Sequence, residues 1–402
     1  MTVRKRTLRG LRLFGFFLMV SLSCFFLIRW FEYSFSEDLP LSDKSIALEP
    51  ASSTSSSSLS NAKLIVQWTN VFGKRMAEAN MEDCSLSPEN SCYISTDRSR
   101  LNEAAAVVFH IWNEDLKIKD LPAHEDRHLD QLYVFMTMEA PPNHNRALIA
   151  SLPAHFFNVT MTYRRDSDIP FPYGGYWVEP STAKRLGFAP ENLPYDEETI
   201  LSGKSKPIFW LVSNCFTKSR REVAVEKLKQ YIPVDIFGKC ATNKINRNKC
   251  KYAENCEKDL AKEYYFFIAA ENSICKDYVT EKYWNRYAWP TVPIVMRRHI
   301  YERLLPPKSF IAMDDFSNAK QMATYLQELI SNKTAFMEYF TWRSLGWARP
   351  WQKPPYSFAY CKLCERLHGN ISRSSIENVE DWFYGTSQCE GHEFVDLWLQ
   401  EY

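Results

Sequence analysis

Four short apolar runs in the second half of this chain set the strongest limit on its fold. They are PIFWLVS (207–213), VDIF (234–237), YYFFIAA (264–270) and VPIVM (292–296), and each reads as a strand. Between and after them lie segments with helical character. Arg220–Tyr231 is charged, with Val223, Val225 and Leu228 as its apolar positions; 278–288 and 318–330 are also helical in pattern. Strands alternating with helices predict an α/β fold with a parallel sheet and crossover connections. In such sheets ligands bind outside the carboxyl ends of the strands. The first half repeats the pattern with LIVQW (64–68), AAVVFH (105–110), LYVFMTME (132–139) and VTMTYRR (159–165), while its helices are less defined. A folded body of about 340 residues exceeds one ordinary hydrophobic core. The expectation is two α/β halves facing each other across a cleft, an arrangement suited to joining two substrates. The Pro-, Gly- and charge-rich stretch 174–205 is the expected linker, and no internal repeat is present.

The N-terminus predicts a compartment. Arg4, Lys5, Arg6, Arg9 and Arg12 precede an uncharged, mostly apolar run from Leu13 to Ile28, and Arg29 closes it. As a helix this run spans roughly 24 Å, short of the ~30 Å hydrocarbon core. Arg12 and Arg29 can snorkel, and a thin early-secretory membrane suits the length. Basic residues on the N-terminal side keep that end cytosolic. The reading is a cytosolic tail (1–12), a signal-anchor helix (13–31) and a Ser-rich flexible stem (32–61). Beyond them come an N-terminal lobe (62–200), a second lobe (201–370) and a C-terminal tail (371–402). A cleaved signal peptide is the rival, but Trp30, Phe31, Tyr33 and Phe35 leave no small-residue cleavage site. Of 11 cysteines, Cys24 lies in the span and ten lie outside it. In an oxidising lumen ten suggests disulfides, although Cys361-x-x-Cys364 also has zinc-ligand spacing. Asn158, Asn332 and Asn370 are N-glycosylation acceptors by pattern. A net charge of +1 gives no global basic field, so no nucleic-acid partner is expected.

Candidate chemistry clusters at strand ends. Glu271, Asn272 and Ser273 follow 264–270 directly, and Tyr278 to Lys282 are placed at the start of the next helix. A helix N-terminus favours an anion such as phosphate, and Lys282 adds a full positive charge. A nucleotide-sugar site follows, with Lys282 and the helix start on the diphosphate and Glu281 on ribose or sugar hydroxyls. The plainer alternative is a capped surface helix with an ordinary Glu–Lys pair. Arg220 and Arg221 repeat the geometry after 207–213, as phosphate ligands or as a solvated charge run. Glu139 ends 132–139 ahead of two prolines, a candidate general base or a solvated turn carboxylate; His144 is the second candidate. Arg164, Arg165, Asp166 and Asp168 form a dense polar cluster able to bind hydroxyls or phosphate, or to pair among themselves.

FFIAAENSICKDYVTEKYWNRYAWPTVPIVM (266–296) resembles the signature of the α1,3-fucosyltransferases. MTMEAPPN and FNVTMTYRRDSDIPFPYG are similar to that family's two acceptor-side motifs, the segment from VSNC to DIFGKC resembles the opening of its donor domain, and YCKLC resembles its C-terminal cysteine pair. The likeness runs in order over most of 62–370, and the cysteines Cys240, Cys250 and Cys256 give a pattern closest to invertebrate members. The resemblance implies a GT-B fold of two Rossmann-like lobes, GDP-fucose as donor and a GlcNAc hydroxyl of a glycoprotein or oligosaccharide as acceptor. That acceptor is either the innermost GlcNAc of an N-glycan or an outer lactosamine-type antenna. The resemblance also implies a type II Golgi membrane protein with a luminal catalytic domain. Residue by residue it makes Glu139 the base and Arg221, with Arg220 as fallback, the diphosphate ligand. Asn272, Tyr278, Glu281 and Lys282 become donor contacts. Cys84 and Cys92 would bridge to Cys361 and Cys364. Inverting transfer with two basic groups implies no required metal, a divalent cation being stimulatory at most. Acceptor choice is placed around His110–Leu121. Three positions depart from the family pattern: Ala140 follows Glu139, Ala270 stands where an aromatic is usual, and Arg297 replaces a glycine. The alternative from another class is an inactive membrane-anchored glycan-binding or chaperone-like protein of the same fold.

Overall fold

The structure is a computed structural model describing residues 61–402 apart from 77–78, 81–83, 85–90, 113–114, 251–255, 351–354, 370–373 and 401–402. The expected tail, anchor and nearly all of the stem lie outside these residues. Among the described residues no helix is long and apolar enough to cross a membrane.

Two sheets form the frame. The first is built from β1 (Lys63–Gln67), β2 (Ala79–Asn80), β3 (Cys92–Ser95), β4 (Ala106–His110), β5 (Leu132–Thr137), β6 (Val159–Thr162) and β7 (Ile169–Pro170), in the order β2-β3-β1-β4-β5-β6-β7. The second contains β8 (Lys206–Leu211), β9 (Val234–Phe237), β10 (Tyr264–Ile268), β11 (Val292–Val295) and β12 (Ile311–Ala312), in the order β12-β11-β10-β8-β9. Every pairing is parallel except β2 with β3. All eight expected strands are present, each within two residues at its start. Four were missed. β2, β7 and β12 are two residues long, below any readable period, and β3 sits among cysteine and serine rather than in an apolar run. The expected helix 278–288 is a single turn, Glu281–Trp284, with Thr280 as its cap.

Sequence order and packing order diverge toward the C-terminus. The helix Pro355–His368 packs its Ala359, Tyr360, Leu363 and Leu367 on the first sheet, against Ile65, Val134 and Met161. It therefore joins the first half, although it falls within the segment 201–370. Residues 371–402 are no loose tail where they are described. Val379 and Phe383 fill the opposite face of the first sheet, and Val395 and Trp398 enter the core of the second. The expected linker also folds in, through the helices Pro180–Leu186 and Glu197–Leu201 and buried Trp177 and Ile200.

Ten cysteines form five disulfides: Cys84–Cys361, Cys92–Cys364, Cys215–Cys240, Cys250–Cys256 and Cys275–Cys389. This removes the zinc reading of the C-x-x-C pair, since both sulfurs are joined to distant cysteines. Cys92, Cys364 and His368 approach one another closely, but two of these groups are a disulfide. Among the acceptor asparagines, Asn332 is exposed, Asn158 accepts a hydrogen bond from the Tyr133 N–H at 3.0 Å, and Asn370 lies outside the described residues.

Candidate active site

β5 ends at Thr137, and Glu139 stands two residues beyond it, at the carboxyl end of the first sheet. Its carboxylate accepts three hydrogen bonds: from Asn143 Nδ2 at 2.8 Å, Tyr278 Oη at 2.8 Å and Tyr173 Oη at 3.1 Å. Tyr278 follows β10, so one bond runs directly between the two halves. Asn143 strengthens the junction, with its Nδ2 3.3 Å from Asn272 Oδ1 and its Oδ1 accepting from Ser273 Oγ at 3.1 Å. Burial pushes the Tyr278 and Tyr173 hydroxyls well above the ordinary phenol range, and nearby negative charge, including Glu139's, adds to it. Both remain protonated donors. A carboxylate offers about four lone-pair sites, so three bonds leave one open.

An open cleft of about 580 Å³ lies at this junction. Trp112, Glu139, Pro142 and Asn143 line it from the first half, and Asn214, Phe216, Lys218 and Asn272 from the second. Gly174 permits the close approach of the halves beside Tyr173, because a Cβ there would fall 2.2 Å from the Trp284 ring.

Lys282 is held differently. Its Nζ lies 3.0 Å from Glu271, 3.1 Å from Glu281 and 2.8 Å from Thr280 Oγ1. Glu271 is 4 % exposed, and it accepts from the Thr280 N–H at 2.8 Å and from Thr280 Oγ1. The start of the short helix is therefore already occupied by an anion from this chain. Burial raises the Glu271 carboxyl against the pull of Lys282. Burial works against the Lys282 ammonium too, but Glu271 and Glu281 outweigh it and raise its pKa.

The two arginines separate. Arg221 is buried, donating to the carbonyls of Ala270 at 2.5 Å and Asn214 at 3.2 Å, while its Nε has no partner among the described residues. Burial lowers its pKa, with Glu271 opposing. Arg220, at a left-handed φ of 52°, points to Asp396 of the C-terminal helix. Neither guanidinium lines the cleft; Lys218, which the sequence reading passed over, does. Arg164, Asp166 and Asp168 also lie apart from it. Arg164 is fully buried and makes a bidentate pair with Asp166 at 2.8 and 2.7 Å, and it bonds Trp382 and Ser387. Asp168 accepts from the Thr160 N–H and hydroxyl. Arg165 donates its N–H to Asp277. Arg164 and Asp168 are spent on bonds around the first sheet, whereas Arg165 bonds Asp277 and the Arg303 carbonyl, and Asp166 bonds Lys276, all three in the second half.

The departures have plain positions. Ala140 and Ala270 are fully buried. Arg297 reaches Glu390 at 2.9 Å and Asp314 at 3.3 Å and lies over Phe394. Asn143 and Tyr173 were missed as site residues. Both stand within the acceptor-side motifs, but nothing local marks them above their polar neighbours.

The model of glycosyltransferase family 10 (fucosyltransferase), C-terminal part, matches residues 201–382, and the fucosyltransferase N-terminal model matches 60–174. The chain is 33% identical over 335 residues to alpha-(1,3)-fucosyltransferase fut-5 of Caenorhabditis elegans, covering 80% of this chain and 82% of that one. It is 29% identical over 357 residues to alpha-(1,3)-fucosyltransferase C of Drosophila melanogaster, covering 83% and 80%. A crystal structure of an alpha1,3-fucosyltransferase aligns with a TM-score of 0.46 at 16% identity, over 82% of this chain and 95% of that one. The chain belongs to glycosyltransferase family 10, the fucosyltransferases, and is by class a glycosyltransferase.

Proposed function

We propose that this protein moves L-fucose from GDP-fucose to a GlcNAc hydroxyl of a glycoprotein glycan, in α1,3 linkage and with inversion. The observation that carries the reading is the Glu139–Tyr278 bond, which sets a carboxylate of the first half against the donor signature of the second. The two halves act as the lobes of a GT-B enzyme. Glu139 uses its open lone-pair site to take the acceptor proton as the oxygen attacks the anomeric carbon, and GDP leaves from the opposite face. Glu281 is the more exposed of Lys282's two carboxylates, 47 % against 5 % for Glu271. It swings to a ribose or fucose hydroxyl and opens one donor position of Lys282 to the diphosphate, with Glu271 still paired behind it. Arg221 adds positive charge behind the strand ends, and with these two cations the reaction requires no metal. Phe216, 89 % exposed, offers the acceptor an apolar face.

The acceptor is an N-glycan's innermost GlcNAc or a GlcNAc of an outer antenna. The protein works in the Golgi lumen, tethered by 13–31; five disulfides suit that compartment. The test is incubation of the purified protein with GDP-fucose and a panel of defined N-glycans, with NMR of the product. An α1,3-fucosylated GlcNAc supports the reading. Donor turnover absent across the panel, or a β-linked product, contradicts it.

A further inference from the structure

We propose that Thr137 and His144 form a buried bracket that positions Glu139 by gripping both polar groups of its backbone. The inference rests on Glu139 being the base. The Glu139 N–H donates to Thr137 Oγ1 at 3.1 Å. His144 Nε2 lies 3.3 Å from the Glu139 carbonyl oxygen and 3.1 Å from Thr137 Oγ1. Glu139 thus stands past the end of β5, where no strand neighbour fixes it, and two side chains take over that task.

The tautomer follows from the partners. Nε2 faces a carbonyl that only accepts and a hydroxyl that can accept or donate, so an Nε2–H serves both partners and leaves Nδ1 a bare lone pair. Nδ1 is buried without a partner among the described residues. An unmet lone pair is more readily tolerated in a protein interior than an unmet N–H. Burial lowers the imidazole pKa to about 4, with Glu139's carbonyl working against the shift, so the ring is neutral at neutral pH. The ring itself is immobilised, edge-on to Trp112 at 5.7 Å and to Phe383 at 5.3 Å. His144 is 8 % exposed and does not line the cleft, whereas Glu139 does. It touches no substrate and acts through Glu139, a positioning residue rather than the second candidate base the sequence suggests. The displacement at stake is small: misplacing a reacting group by ~1 Å costs about 100-fold in rate.

The test is steady-state kinetics on His144→Leu and Thr137→Val, which delete the bracket, beside His144→Gln and Thr137→Ser, which keep a donor or hydroxyl in place. The deletions are expected to lower kcat by about 10- to 100-fold while the KM for GDP-fucose stays within about twofold. Gln and Ser are expected to restore most of the loss, a rescue that packing alone does not explain. The near-isosteric Thr137→Val decides the matter if the leucine variant fails to fold. Folded deletion variants with wild-type kcat, or Gln and Ser variants as slow as the deletions, overturn the proposal. A wild-type protein that transfers no fucose would instead overturn the proposed function.

Discussion

Glu139, which lines the cleft, and Lys282, which is not among its lining residues, are held in opposite ways. Glu139 is bonded by three uncharged donors, two phenols and an amide, drawn from both halves. Lys282 is wrapped by two carboxylates and a hydroxyl, all from its own half. The carboxylate is oriented without an ion-pair partner among the described residues, with one lone-pair site left open. The ammonium is paired with both carboxylates, of which Glu271 is the buried one. In the proposed function the first group is poised as it stands, and the second is completed by the donor.

That contrast can be broken by mutation. Lys282→Met should lower kcat/KM by roughly 10²- to 10³-fold, the usual weight of one charge-stabilising group, with weaker GDP binding by calorimetry; a modest fall would mean that Lys282 serves structure alone. Asn143→Ala removes a bond to a charged group, worth about 1.5–3 kcal/mol. Its loss should reduce kcat more than donor affinity, and equal losses in both would place Asn143 on the donor side of the comparison. A charge pair outside the cleft supplies the control. The Arg164 bond, reinforced by Lys276, holds Asp166 down at about 2 against burial. Its folded pKa lies below the unfolded value, so its contribution is present above the ordinary aspartate range and fades as pH falls toward 2. Asp166→Asn should therefore melt earlier than wild type at pH 6, and the gap should close in acid, with kcat per folded molecule unchanged. An altered kcat would draw the Arg164–Asp166 pair into the site. Phe216→Ala should have the smallest effect, a rise of a few-fold in acceptor KM, about 1 kcal/mol of lost apolar contact, with donor KM unaffected.

Much of this was legible in the sequence because apolar runs of four to seven residues declare themselves as strands. Glu139 and Asn272 stood out as candidates because they stand at or just past the ends of such runs, and Tyr278 because it precedes the next helix. What could not be read was set by contacts between distant segments. The role of Arg221 depends on strand-end carbonyls that lie beside it only in the fold. Glu271 lies within the signature, yet its capture of Thr280 and Lys282 needs the chain to turn back over nine residues. The helix Pro355–His368 falls in the second half by sequence position, and only the implied bridges from Cys84 and Cys92 to Cys361 and Cys364, which the structure contains, tie it to the first sheet.

The most direct test of the central claim is Glu139→Gln, measured for fucose transfer and GDP-fucose affinity on the same preparation. Glutamine keeps the shape of the side chain and removes its basicity. The account predicts that transfer falls by about 10²- to 10⁴-fold while the donor binds as tightly as to wild type. Transfer at the wild-type rate would contradict it.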